Sequence, residues 1–365
     1  MRVAILSADY FPNVGGVAAH VHELSSALVN NGHEVDLLTL PLGKPVGIEN
    51  HSGLNIHRVK SPKNEPFFTW FFGSYLRKYI EYSKPDVIHV HGMRPLGAVK
   101  NLDLPIVFTN HTSGYLKRIE RGGRELIKIA KRLKVIDAVI APSEELCEAT
   151  RVVGYQKPVV FISNGVDTQK FRPGMNTKLR EELGWVGDEI VILLARRLVE
   201  KNGVLDFAKA ATLVKRSNAR FLFAGDGDER RGIERILSDG GVLEKSCFLG
   251  NVQNSKMLDV YQSSDISVLP SYMEATSITG LESMACGLPL VGTRVGGIPF
   301  IIDNMKSGVL VNPRSPDSIA KEIQKLIDDS QLRLSMGKNG RMRAEQLFSW
   351  KRIAEETASV YESVI

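Results

Sequence analysis

Three cysteines are all that the 365 residues hold. Cys147, Cys247 and Cys286 are far apart, sit in apolar or helical contexts and form no C-x-x-C pair, which excludes a disulfide framework and a thiolate zinc site. They are expected to be reduced core residues. No run of 18 apolar residues occurs, so no bilayer-spanning helix is expected. The chain opens Met1-Arg2-Val3-Ala4-Ile5-Leu6, directly in a strand pattern and without the regions of a cleavable signal, so a cytoplasmic, non-spanning protein is expected. The first glycine-rich loop, ending in Gly15-Gly16, is not G-x-G-x-x-G and gives no dinucleotide fingerprint. No nucleic-acid motif accompanies the basic charge, so nucleic acid is not an expected partner.

What is present suffices for two domains, since 43% of the residues are hydrophobic and 24% charged over this length. The net charge of +6 is lopsided: residues 1–174 hold 22 Lys+Arg against 16 Asp+Glu, and residues 175–365 hold 25 against 25. All the excess lies in the first half. Short apolar runs at 3–7, 34–40, 54–59, 86–90, 106–109 and 159–162, and again at 190–195, 221–224, 266–269 and 290–293, alternate with helical patterns, which indicates doubly wound parallel sheets. Ser163 to Gly174 is rich in turn formers, as a connection between domains would be.

Ligands of such sheets sit outside the carboxyl ends of strands. After 3–7, Gly15 and Gly16 lead into a helix over 17–29; adjacent glycines serve either a turn with φ > 0 or the close approach of a phosphate or sugar. After 106–109 stands His111, in Thr-Asn-His-Thr-Ser. His89 and His91 flank Val90 and share a face, the pattern of packed, hydrogen-bonded histidines rather than metal ligands. After 190–195 come Arg196, Arg197 and Lys201, cations suited to a diphosphate. After 266–269 come Glu274 and a helix over 278–286 whose N-terminal N–H groups, from Ser277, Ile278 and Thr279 to Gly280, suit a phosphate. Glu282, one turn in, can accept two hydrogen bonds from a ribose diol; the competing reading is a solvated helix charge, with Glu274 a loop charge. Because Glu274 precedes the helix, the two carboxylates are not stacked as a glycosidase-like pair.

The order Pro270-Ser271, Glu274, seven residues, Glu282, Met284-Ala285-Cys286-Gly287-Leu288-Pro289 and Gly296-Gly297 resembles the E-x7-E signature of the retaining nucleotide-sugar glycosyltransferases of family 4. The resemblance covers nearly the whole chain and is densest over 190–315. It implies a GT-B fold, two Rossmann-like domains facing a central cleft: an acceptor domain over 1–170, a donor domain over 176–347 and a last helix, about 348–365, crossing back. It implies that His111 contacts the transferred sugar, that Glu274 holds sugar hydroxyls, that Gly15-Gly16 borders the donor, that Arg197 binds the diphosphate, and that backbone near Val252 reads the base. Three departures stand out. Arg196 replaces a usual Gly, Asn202 takes the place of a usual Lys with Lys201 one step earlier, and Phe300 stands where an acid is common. Asp226-Gly227-Asp228 matches a Gly-Asp-Gly turn of the family rather than a metal-binding D-x-D.

The expected activity is therefore retaining transfer of a sugar from a nucleoside diphosphate donor to a lipid-linked, glycan or small-molecule acceptor, with no cofactor and no obligatory metal. A nucleotide-sugar epimerase or hydrolase of the same fold, and a non-catalytic nucleotide-sugar binding protein, remain open. Two features of the first half bear on the acceptor. The stretch 115–135 reads as a basic amphipathic helix carrying Lys117, Arg118, Arg121, Arg124, Lys128, Lys131, Arg132 and Lys134, and Phe67, Phe68, Trp70, Phe71 and Phe72 form an aromatic run denser than one buried helix face requires. Both suit peripheral attachment to an anionic membrane at its cytoplasmic face; the competing reading is a solvated charge and a core aromatic cluster.

Overall fold

The computed structural model describes residues 1–365 other than Val14, Lys63, Thr112 and Val186 and the side chains of Ser113, Lys117 and Glu120. The chain divides into two units, Met1–Gly165 with Trp350–Ile365, and Val166–Ser349.

In the first unit eight strands, β1 (Arg2–Ser7), β2 (Glu34–Thr39), β3 (Gly47–His51), β4 (Leu54–Arg58), β5 (Val87–His91), β6 (Ile106–Thr109), β7 (Ala138–Ala141) and β8 (Val159–Phe161), form one sheet. Its order is β3-β4-β2-β1-β5-β6-β7-β8, with β3 antiparallel to β4 and the other pairings parallel. The central strands are buried on both faces, which is why they read as unbroken apolar runs. The helix Gly16–Asn30 covers one face through Ala18, Val21, Leu24 and Leu28 at helical spacing, and stops where Gly32 takes φ 85°. The helix Trp350–Glu362 returns to this unit and packs on the helix Gly16–Asn30.

The basic stretch is not one helix. Gly122 and Gly123, at φ 64° and 54°, break it into Ser113–Glu120 and Gly123–Leu133, since consecutive left-handed residues end a helical hydrogen-bond ladder. In the second piece Ile129 and Leu133 face the core while Arg124, Lys128 and Lys131 are exposed; the Lys117 side chain lies outside the described residues. The aromatic run is split by its helix, Phe67–Ser83. Phe68 and Phe72 are fully buried, whereas Phe67 (60% exposed), Trp70 (63%) and Phe71 (43%) are not.

The second unit is a parallel sheet, β9 (Ile190–Ala195), β10 (Ala219–Ala224), β11 (Ser246–Gly250), β12 (Ile266–Leu269), β13 (Leu290–Thr293) and β14 (Gly308–Val311), in the order β11-β10-β9-β12-β13-β14. One hydrophobic cluster lies on each face. The chain enters this unit at Val166, earlier than an end at 170 would put it, because Phe171 is buried in one of those clusters and Arg341 binds the carbonyls of Thr168 and Phe171. Phe348 also belongs here, so the return to the first unit begins at Trp350. All three cysteines are free, Cys147 and Cys286 buried and Cys247 half-buried.

Candidate active site

Each sheet has one point where the strand order reverses: between β1 and β5 in the first unit and between β9 and β12 in the second. A parallel sheet opens a crevice at such a point, beyond the carboxyl ends of its strands.

In the second unit the loops after β9, β12 and β13 pack backbone against backbone. Gly203 has φ 66° and a Cβ there would lie 1.8 Å from the Pro270 carbonyl oxygen; at Gly296, φ 52°, it would lie 1.6 Å from that of Glu274. Any other residue at either position would push the Glu274 loop out of place. The Glu274 carboxylate forms an ion pair with Arg196, whose guanidinium also donates to Ser271 Oγ. Both side chains are nearly buried, at 10% exposure for Arg196 and 15% for Glu274, so Glu274 is not a solvated loop charge.

Arg197 is exposed, and among the described residues no ion pair holds its guanidinium. Its carbonyl accepts the Asn202 side-chain amide at 2.8 Å. Asn202 is buried, so the place where the resembled family carries Lys is filled here by a residue that fastens the Arg197 backbone. Lys201 is exposed, and its carbonyl accepts the Tyr272 N–H at 2.9 Å. Ser277 caps its helix by accepting the Gly280 N–H at 3.1 Å, so of the four N–H groups expected to face a phosphate, Gly280 is withdrawn. Those of Ile278 and Thr279 remain first-turn donors.

Glu282 is 5% exposed and its Oε2 accepts the Tyr261 hydroxyl at 2.6 Å, which rules out the solvated helix charge. Burial, with the Glu282 charge beside it, holds the Tyr261 phenol well above its usual pKa, so it stays a donor. Glu282→Ala is expected to weaken donor binding about 10- to 100-fold, the range for hydrogen bonds to a charged group, while Glu282→Gln loses less. Calorimetry that shows unchanged affinity for Glu282→Ala would remove it from the site.

Val252 packs against the cluster that holds Leu281 and Met284 of the Glu282 helix. It lines a cavity of about 580 Å³ with Leu249, Asn251 and Asn176, and none of Arg197, Lys201, Glu274, Ser277 or Glu282 borders that cavity. Asp226 is spent on its own turn, accepting the Gly227 N–H at 2.8 Å while its carbonyl accepts that of Leu198.

In the first unit the crevice holds histidines. His111, just beyond β6, meets His91 at the end of β5, with its Nε2 2.8 Å from His91 Nδ1. His20, on the helix after β1, packs its ring 4.4 Å from that of His111. His89 is hydrogen-bonded on both sides, to Tyr361 Oη and Thr109 Oγ1, each at 2.6 Å. Burial, together with the neighbouring imidazoles, holds His91 and His111 well below the usual histidine pKa; burial lowers His20 to about 4. At neutral pH His111 is therefore a neutral imidazole, able to donate one hydrogen bond and accept another. His20 was not legible as a site residue, although a histidine in the helix turn directly after Gly15-Gly16, at a core-facing position, was the available signal.

The family model for "Glycosyl transferases group 1" matches residues 175–343, and that for "Glycosyltransferase Family 4" matches residues 14–170. An uncharacterised glycosyltransferase of Methanocaldococcus jannaschii is 31% identical over 99% of this chain and 98% of its own. The chain belongs to the group 1 glycosyltransferases. A phosphatidylinositol N-acetylglucosaminyltransferase polypeptide of Arabidopsis thaliana is 29% identical over 100% of this chain and 82% of its own. Among solved structures, Anabaena HepE in complex with UDP-glucose superposes with a TM-score of 0.80, at 17% identity over the whole of both chains, so the fold is GT-B.

Two details of this glycosyltransferase depart from expectation. Gly15 is extended, at φ −177°, and neither Gly15 nor Gly16 has a positive φ, so the turn reading of this pair fails. Gly15 is instead the N-cap of the helix that carries His20. Phe300 is exposed, stacks edge-on against Phe348 at 5.6 Å and accepts from Arg343 through its carbonyl. Gly15, Gly16, His20 and His111 belong to one unit and Arg197, Lys201, Glu274, Ser277 and Glu282 to the other.

Proposed function

We propose that this glycosyltransferase moves a sugar, with retention of anomeric configuration, from a nucleoside diphosphate to a lipid-linked acceptor at an anionic membrane. The observation that carries the donor half is the convergence, where β9 and β12 part, of exposed Arg197, the first-turn N–H groups of Ile278 and Thr279, and the braced carboxylates Glu274 and Glu282. The cation and N–H groups meet the charge that grows on a departing diphosphate, which is electrostatic stabilisation by fixed donors and needs no metal. Glu282 takes the ribose diol. In the second unit Glu274 takes sugar hydroxyls, and the acceptor attacks the face that the diphosphate leaves; in the first unit the neutral His111 is the group proposed to meet a sugar hydroxyl. The UDP-glucose complex of Anabaena HepE, a protein of the same fold, supports a nucleotide-sugar donor.

The acceptor half rests on the first unit. Phe67, Trp70 and Phe71 are exposed, as are Arg118, Arg121 and Arg124, and the whole net positive charge of the chain lies in residues 1–174. Apolar rings insert at the headgroup boundary while cations are held by anionic lipid. No helix among the described residues is long and apolar enough to cross a membrane, so such attachment would be peripheral. The name of the Arabidopsis relative, which includes phosphatidylinositol, points to a lipid acceptor for that protein. Co-sedimentation with vesicles of anionic phospholipid is the test. Binding is expected to fall with salt, and the triple change Arg118→Glu, Arg121→Glu, Arg124→Glu is expected to lower it on the order of 100-fold or more. No binding at low ionic strength, or binding indifferent to the triple change, would leave a soluble acceptor as the better reading.

A further inference from the structure

Three imidazoles of the first unit form a cluster that sugar binding by His111 alone does not explain. His20, His91 and His111 can each offer one ring nitrogen such that the three atoms lie within 4.8 Å of one another. His20 Nδ1 lies 2.7 Å from Asn164 Oδ1, an acceptor, so the proton sits on Nδ1 and Nε2 carries a lone pair. That Nε2 is buried and, among the described residues, meets no hydrogen-bond partner. His20 is 5% exposed and His91 2%, so water does not freely serve them. Buried nitrogens left unpaired weaken a fold, and an imidazole whose Nδ1–H is held by a carbonyl is oriented as metal-ligating histidines are.

We propose that His20, His91 and His111 form a site for a borderline transition-metal ion, Zn2+ in the first instance, whose occupation blocks the enzyme. Three neutral nitrogens with no carboxylate among them suit Zn2+, Cu2+ or Ni2+ and not the oxygen-seeking Mg2+ or Ca2+. Tetrahedral Zn2+ at about 2.0–2.1 Å from each nitrogen needs them about 3.3–3.4 Å apart, between the 2.8 Å of the His91–His111 pair and the 4.8 Å that bounds the cluster. His89 cannot join, because Tyr361 and Thr109 engage both its nitrogens; it backs the His91 ring at 4.1 Å. On binding, the proton now shared between His91 Nδ1 and His111 Nε2 moves to the far nitrogen of its own ring, and both nitrogens turn their lone pairs to the ion. Three protein ligands leave a fourth position for water. The binding of the ion stands on the cluster alone; the block rests on the proposed contact of His111 with the sugar.

The test uses the full chain, freed of metal, and Zn2+ and Co2+ as probes. Calorimetry should give one tight Zn2+ per chain, and Co2+ should show the intense visible bands of tetrahedral coordination, lost when Zn2+ is added. His20→Gln and His91→Gln, each checked by thermal melting for a folded state, should weaken Zn2+ at least 10-fold and abolish the bands, while His51→Ala, on an exposed strand, should change neither. Absence of a one-to-one site, or wild-type affinity in both folded Gln variants, overturns the proposal. Zinc should also suppress transfer, and excess EDTA should leave transfer undiminished or raise it. Zinc that binds at the site without slowing transfer would overturn the block and, with it, the placing of His111 at the sugar, while leaving the donor assignments untouched.

Discussion

Arg197→Ala is expected to lower kcat/KM for transfer about 10²- to 10³-fold, the loss seen when one fixed donor to a developing oxyanion is removed. The same change is expected to leave the melting temperature nearly unmoved, because the guanidinium is exposed and no ion pair among the described residues depends on it. What orients it is the backbone, through the buried Asn202 amide on its carbonyl, and that contact survives in the variant. Arg197→Lys should recover only part of the rate, since a point charge on a flexible stem loses bidentate geometry toward phosphate. Steady-state rates together with a melting curve decide the matter. Transfer within fivefold of the unmodified chain would take Arg197 out of the diphosphate site.

Glu274→Ala is expected to act twice. It removes a contact to the sugar, so transfer should fall by more than about 10²-fold, and it strands the Arg196 cation, which is 10% exposed, without its partner. Breaking a buried pair from one side costs about 3–5 kcal/mol; with Ser271 still accepting from Arg196 and some solvent reaching the pair, about 3 kcal/mol is the reasonable figure. In a unit of this size that lowers the melting temperature by about 6–12 °C. The double change Arg196→Ala, Glu274→Ala should regain much of the stability and none of the activity, because it removes the stranded charge and not the need for the carboxylate. A double variant as unstable as Glu274→Ala alone would show that the ion pair is not what holds the loop.

The legible parts of the molecule share a physical cause. Strands of a parallel sheet are buried on both faces, so 106–109, 190–195, 266–269 and 290–293 could be marked from apolar runs alone, and each coincides with an observed strand. The polar strand β3, Gly-Ile-Glu-Asn-His, is an exposed antiparallel edge and gave no such signal. The basic stretch read as one helix because charge and apolar spacing carry across Gly122-Gly123, whose left-handed conformation only the backbone reveals. At the site, residues acting through position in a strand-end loop, Arg197 and Glu274 among them, could be singled out. Partnerships across loops could not: Arg196 with Glu274, Tyr261 with Glu282, and Asn164 with His20 join residues 78, 21 and 144 positions apart. No local pattern encodes such pairs.

The β9–β12 crevice of the second unit is proposed to bind a nucleoside diphosphate sugar through Arg197, Glu282 and the Ser277 helix. The most direct measurement is the melting temperature of the full chain, with EDTA present, against uridine, guanosine and adenosine diphosphate sugars. A ligand at 100 times its Kd adds about 2.7 kcal/mol to the native state, a shift of several degrees. One base class is expected to give that shift, and the same ligand at the same concentration is expected to give about half of it or less with Arg197→Ala or Glu282→Ala. No shift with any nucleoside diphosphate sugar, or an equal shift in both variants, would contradict the account.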